Sequence, residues 1–332
     1  MKLLFSTTES ESSDEIKSLI GYVDADLRLS NLKPDIITAT NEVIDIIGEK
    51  VYDYAIDKFD GITAEDDDPD YNLIQAIRYP IIVNAYRLFA PSNDLSHTGD
   101  GRKTRNDEHE KAAWQWQIEA DNKAQEKRYY RALDDLIKFL DNSKVEDETE
   151  ETIWTIWTTS DNYKKSQKLF IRSTNEFNEF FPIQSRYLLM MIAPGIDFCE
   201  RREILPRIGK TKFDALKEAL QSATAIDDET DLKLIHLIKE ACASYSLAWA
   251  IPRMSIQIFP EGVIQSYTSD RMTQNATKPS MLSEPEAARQ AFIASFNRIV
   301  IDIEELVKPV PEPGVDIPTN PTITYGDKFL ST

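Results

Sequence analysis

Hydrophobic side chains in the first sixty residues recur every three or four positions: Ile16, Leu19 and Ile20, then Ile36, Ile37, Val43, Ile44, Ile47, Val51, Tyr52 and Ala55. That period marks amphipathic helices, and it predicts two or three of them punctuated by Pro34 and Gly61. An acidic stretch at 65–70 then leads into an apolar run at 73–89, and Asp227, Asp228, Glu229 and Asp231 lead in the same way into 232–249. Carboxylates at a helix start accept bonds from free N–H groups and complement the macrodipole, so both runs read as entries to a buried helix. Residues 254–267 alternate in the manner of a strand around Pro260-Glu261-Gly262, which predicts a β-hairpin. The segment 95–105 keeps a glycine, Gly101, but is mostly polar, so its hairpin is expected to be more exposed. Each part of the chain closes with a long helix. The first covers about 108–140, with Trp114, Ile118, Tyr129, Leu133, Leu136, Ile137 and Leu140 toward the core. The second opens on Ser283-Glu284-Pro285-Glu286, which has capping-box spacing and a first-turn proline, and continues through Phe292, Phe296, Ile299, Ile303 and Leu306. Between them, Thr152 to Thr159 intersperses threonine with isoleucine and tryptophan and reads as a linker strand or extended arm, with a short helix as the alternative. The proline-rich tail at 309–332 reads as extended and able to reach a neighbouring chain.

These elements occur in the same order twice. Ile47-Gly48 and Asp53 recur as Ile208-Gly209 and Asp214, an offset of 161 (208 minus 47) that holds without a gap for about sixty residues. Asp70, Leu73, Ile74 and Ile77 fall on Asp231, Leu234, Ile235 and Ile238, and Gly101 falls on Gly262. About thirteen positions match, where ordinary composition gives roughly three or four by chance. Upstream, Lys2-Leu3-Leu4-Phe5 resembles Lys168-Leu169-Phe170-Ile171, while Leu32, Pro34 and Ile36 align with Ile192, Pro194 and Ile196. Downstream, 133–138 is echoed by 303–308 at an offset of 170. The fold class expected is therefore mainly α: two tandem copies of a helical module, each with a β-hairpin before a long C-terminal helix. The copies span 1–143 and 165–308, joined by an acidic linker or arm at 144–164 and followed by the tail.

The 57 acidic side chains outweigh 38 basic ones, a net charge of −19. Wrapping nucleic acid needs clustered lysine and arginine, so this balance argues against sequence-specific nucleic-acid binding. No run reaches the eighteen or so apolar residues that span a bilayer, and the start turns polar too soon for a signal peptide. A cytoplasmic protein is expected. Cys199 and Cys242 have neither metal-ligand nor disulfide spacing and are expected to be small buried groups.

Candidate chemistry is sparse. Asp66, Asp68 and Asp70 have the spacing of a calcium loop, yet Tyr71 stands where glycine is needed and Ile77 where the bidentate acid belongs. Residues 99–105 lack the spacing of a phosphate loop, and the three histidines, His97, His109 and His236, form no metal or nucleophile pattern. No catalytic, cofactor or metal residue is assigned, and the expected protein is not an enzyme. The contact residues expected are Arg102, Lys103 and Arg105 at the polar hairpin, with Trp114 and Trp116. A two-residue step turns about 200° around a helix, so both tryptophans cannot face one core.

The pattern Asp231-x-x-Leu234-Ile235-x-x-Ile238-x-x-Ala241, then Tyr245-x-Leu247-Ala248, a hairpin and a closing helix, resembles the helical head–tail connector (head-completion) proteins of tailed phages. Trp114-x-Trp116-Gln117-Ile118-Glu119 and Tyr129 to Asp134 are similar to uncharacterised structural proteins of Bacteroidetes phages and prophages. The resemblance implies a ring-forming homo-oligomer with portal or tail proteins as partners. It also implies a place in the virion after assembly in the bacterial cytoplasm, with acidic surface toward a DNA channel. Two fused copies depart from the usual single module. The alternative is a cytoplasmic two-domain helical interaction or scaffold protein.

Overall fold

Asp68 and Asp228 begin the two central helices. The carboxylate of Asp68 accepts the N–H of Asp70 at 2.8 Å, and that of Asp228 accepts the N–H of Thr230 at 2.9 Å. Each satisfies a donor that the first turn leaves unpaired, as their place at the head of an apolar run suggests. The computed structural model describes residues 2–6, 8–21, 27–59, 68–98, 101–104, 113–144, 152–222, 226, 228–254 and 283–308. Its architecture is mainly α.

In chain order, α1 (Glu9–Ile20), α2 (Leu29–Ile47), α3 (Glu49–Phe59) and α4 (Pro69–Asn93) are followed by a short antiparallel ladder. Its strands are β1 (Leu95–Thr98) and β2 (Gly101–Thr104), paired from Leu95 opposite Thr104 to Thr98 opposite Gly101. Then come α5 (Gln115–Asn142), α6 (Ile153–Thr158), α7 (Asp161–Gln167) and α8 (Thr174–Asn178). The helix α9 (Arg186–Cys199) passes through a π-helical turn, Glu200–Ile204, into α10 (Leu205–Ile208), and α11 (Lys210–Gln221), α12 (Glu229–Ala250) and α13 (Ser283–Val307) follow. The predicted second hairpin and the proline-rich tail lie outside the described residues.

Buried side chains form two clusters. The first gathers α1 to α6 around Leu73, Ile77, Ile81 and Ile82 of α4, and the second gathers the elements from Leu169 onward around Leu234, Ile238 and Cys242 of α12. Each fully buried aliphatic or aromatic side chain contributes about 1.5–3 kcal/mol, so the two central helices supply much of the driving force. Both cysteines are buried and unbridged.

Three expectations change. Residues 153–158 form α6, the short-helix alternative and not the favoured strand: Ile153, Ile156 and Trp157, spaced three and one apart, enter the first cluster from one helix face. Thr152 caps that helix, accepting the N–H of Thr155 at 3.2 Å and returning its own N–H to the Thr155 hydroxyl at 2.9 Å. Pro34 does not end a helix but lies inside α2, as Pro194 lies inside α9. Trp114 does not face the core; it precedes α5 and is 72% exposed.

Some positions paired in the sequence comparison have similar local surroundings. Gly48 and Gly209 end α2 and α10 with φ of 91° and 79°, a region that glycine enters without the Cβ penalty. Buried Leu32 and Ile36 match Ile192 and Ile196 at an offset of 160, whereas Ile47 and Ile208 match at 161. The π turn, Glu200–Ile204, lies between Ile196 and Ile208. In α5, Leu133, Leu136, Ile137 and Leu140 are buried; in α13, Phe296, Ile299, Val300 and Ile303 are buried with the same spacing. This register has an offset of 163 (296 minus 133), one heptad short of the 170 suggested by the residue identities.

Candidate functional site: the joint between the halves

α5 presents Tyr130, Asp134 and Asp141 along one side, since steps of four and seven residues return to nearly the same helix face. That side meets the start of α9. Asp134 accepts the hydroxyl of Ser185 at 3.0 Å and the N–H of Tyr187 at 2.8 Å. Ser185 in turn accepts the N–H of Leu188 at 2.9 Å, so a carboxylate from the first half completes the cap of a helix in the second. Asp141 accepts the indole N–H of Trp157 at 3.0 Å and the Nε–H of Arg186 at 3.3 Å. Burial pushes both carboxyl groups above the ordinary aspartate value, and these donors oppose the shift.

Aromatic and polar groups extend the joint inward. The Tyr130 ring stacks on Tyr187 with centroids 5.8 Å apart and planes 18° apart. Next to it, Tyr129 donates its hydroxyl to Glu42 at 3.3 Å; Asn84, fully buried, donates to the same carboxylate at 2.6 Å. Arg87 donates to the Asn84 side-chain oxygen through Nε at 3.0 Å and Nη2 at 2.8 Å, and its guanidinium lies 5.4 Å from the Tyr129 ring centroid. Burial and the neighbouring Glu42 push the Tyr129 hydroxyl far up, so it stays a donor. On α7, Asn162 donates to the carbonyls of Asp45 at 3.0 Å and Ile46 at 2.7 Å, covering two carbonyls at the end of α2. Chemically this is a rigid polar seam, able to fix one set of helices against the other.

A second buried polar feature sits at the π turn. Glu200, 2% exposed, accepts the N–H of Phe170 at 2.6 Å and pairs with the Lys217 ammonium at 2.5 Å. The ammonium also donates to the Lys168 carbonyl and lies 4.3 Å from the Phe170 ring centroid. Burial pushes Glu200 up and Lys217 down, toward their neutral forms, while their mutual attraction opposes both shifts.

The contact residues read from the sequence lie elsewhere. Arg102 and Lys103 stand on β2, opposite His97 and Ser96, and Arg105 lies outside the described residues. Trp114 and Trp116 are 72% and 52% exposed at the start of α5, with Trp114 bonding its N–H to the Gln117 side chain at 3.0 Å. Tyr130 is fourteen residues farther along the helix, about 21 Å at 1.5 Å per residue, so the tryptophans do not join the seam. Sequence reading missed Asp134, Asp141, Arg186, Tyr187 and Asn162. The available signal was the seven-residue spacing of two aspartates beside the apolar face of α5. Among the described residues no group of three His, Cys, Asp or Glu side chains could hold a metal ion, and no helix is long and apolar enough to cross a membrane.

Comparison with protein families finds a match to DUF6712, a family of unknown function, over residues 43–167. The matched stretch runs from α2 to the end of α7, less than half of the chain. No curated protein and no solved structure is matched.

Proposed function

We propose that the chain is a non-enzymatic structural protein made of two tandem copies of one helical module. It acts as an adaptor of the phage head–tail connector kind through protein–protein contacts alone. The observation that carries the two-copy reading is a brace found in both halves. Glu15 accepts the N–H of Ser6 at 3.1 Å and pairs with Arg78 of α4 at 2.7 Å. Glu176 accepts the N–H of Arg172 at 2.6 Å and pairs with Lys239 of α12 at 2.7 Å. Glutamate and cation are 63 residues apart each time (78 minus 15; 239 minus 176), and the pairs differ by the same 161 as the matched residues. The joint suits such a protein, because it would transmit load between modules without a flexible linker. In this reading each copy has a hairpin before its closing helix, and Arg102, Lys103, Arg105, Trp114 and Trp116 meet the partner.

The test is capture of portal and tail proteins from the same gene cluster by the purified chain. Replacing both tryptophans by alanine is expected to weaken capture at least about tenfold while stability stays within about 0.5 kcal/mol, as for exposed sites. Failure of the wild-type chain to capture any of these proteins would remove the connector reading.

A further inference from the structure

The second half carries an apolar face open to solvent. On α9, Met191, Pro194 and Phe198 are exposed, and steps of three and four residues line them up along one side of the helix. α12 widens that stripe. The Tyr245 ring stacks on Phe198 with centroids 5.9 Å apart and planes 9° apart. One turn on, the Trp249 indole lies against Gly195, where a Cβ would meet its ring carbons at 3.0 Å, so the glycine lets a flat ring rest on the helix backbone. Arg253 holds its guanidinium 4.7 Å from the Trp249 ring centroid, and Arg201 and Arg202 stand exposed one turn beyond Phe198. Asp197, bonded to Arg201, offsets only part of that charge. In a chain of net charge −19, this face is aromatic with cations at both ends.

We propose that the proline-rich segment after α13 turns back along α9 and seats on this face of its own chain. Residues 309–332 lie outside the described residues, but their sequence carries Pro309, Pro311, Pro313, Pro318 and Pro321 together with Glu312 and Asp316. Proline fixes φ and favours the polyproline II helix, which loses little entropy on binding and docks in aromatic-lined grooves. The two acids suit the arginines. Reach favours the same occupant. Tyr245 touches both Phe198 and Phe296, while nine residues past the first (207 minus 198) and eight past the second (304 minus 296) Arg207 pairs with Glu304. α13 therefore runs beside α9 and α10 in the same direction, and Lys308 lies one turn past that ion pair. From the level of Lys308, Arg202 is about 13 Å back along the helix, Phe198 about 20 Å and Met191 about 30 Å, at 1.5 Å per residue. Extended at 3.1 Å per residue, the segment brings Glu312 to about 12 Å, Asp316 to about 25 Å and Pro318 to about 31 Å, so acids flank the arginine pair and prolines arrive at Met191 and Trp249. A site so close to the anchoring point sees the segment at an effective concentration in the millimolar range, which fills even a weak site. The inference depends neither on the two-copy reading nor on any phage partner.

A photoreactive p-benzoylphenylalanine in place of Ile317 tests this in the full chain. Light and nitrogen-15-labelled chains are mixed at about 1 µM, far below the effective concentration of a tethered segment, so that links within a chain are told from links between chains. Peptide mapping is expected to place the link on Met191, Pro194, Phe198 or Trp249 of the same chain. Glu312→Lys with Asp316→Lys is expected to cut its yield at least about fivefold, and adding Arg201→Glu with Arg202→Glu to restore it, a reciprocity that only facing charges produce. Phe198→Ser, with helicity and thermal midpoint checked against wild type, is expected to remove the link. The proposal is overturned by a link that joins different chains, or by one that maps to another surface or to the segment 255–282, which leaves α12 beside the same face. A yield unchanged by charge reversal overturns it too. Capture of portal or tail proteins plays no part in this readout, so this inference and the connector reading fail separately.

Discussion

In the first half, the carbonyl of Lys2 is met by the hydroxyl of Tyr52 at 3.0 Å, with Thr40 beside it. In the second half, the carbonyl of Lys168 is met by the Lys217 ammonium, which also pairs with Glu200. One side has a neutral phenol, pushed up to about 12 by burial and therefore a donor at any physiological pH. The other has an ion pair. A neutral hydrogen bond contributes roughly 0.5–1.5 kcal/mol and loses about that much when cut, whereas a buried ion pair adds little while intact and loses far more when one member goes. The same local geometry is thus tolerant in one half and brittle in the other.

The largest break is Lys217→Met. It leaves Glu200, whose side chain is 3% exposed, without its cation, and is expected to cost about 3–5 kcal/mol in urea unfolding. Adding Glu200→Thr, which removes the unpaired buried charge, should recover most of that loss. Equal losses in the single and double variants would show that lysine packing on Phe170, not charge, holds the site.

The braces offer a gentler comparison. Arg78 lies 5.1 Å from the Phe5 ring and 5.7 Å from the Phe59 ring, a position its flat guanidinium fills better than an ammonium. Arg78→Lys should cost about 1–2 kcal/mol of cation–π and packing energy, and Lys239→Arg less. A reversed order in thermal unfolding would sink this account.

The smallest effect is one of pH. Burial of Glu176 opposes its charge, but the bonds from Lys239 and the Arg172 N–H outweigh it and hold the carboxyl below the ordinary glutamate value of 4.5. Its native form therefore binds fewer protons than the unfolded chain in that window. The stability it contributes is full above pH 4.5 and is lost as pH falls through the depressed value. Glu176→Gln should flatten the acid limb of stability below pH 4.5; an unchanged slope would mean that other carboxylates dominate acid unfolding.

Much of the fold was legible because the strongest signals are local. The acid caps and all-round apolar character of α4 and α12 lie within one stretch of chain, and the Gly48 and Gly209 matches mark positions where the backbone needs positive φ. The strand reading of 152–159 failed because threonines spaced between Ile153, Ile156 and Trp157 mimic alternation, while the same apolar residues also fit one helix face. The joint was not legible, since Asp134 and Tyr187 are 53 residues apart and nothing near either names its partner. The π turn was not legible either, since no local residue pattern announces Glu200–Ile204 as anything but helix.

That turn also bears on how the chain could have changed over time. Insertions usually survive in loops, where neither hydrogen bonding nor packing must be kept in step. On the two-copy reading the additional residue sits inside a helix, with buried Ile196 before it and buried Ile208 after it, as Ile36 and Ile47 are buried in α2. On the two-copy reading, a duplicated gene acquired one codon in the middle of a buried element and kept the element. The cost was confined to a single loosened turn, and its first residue, Glu200, is the half of the ion pair that the other copy lacks.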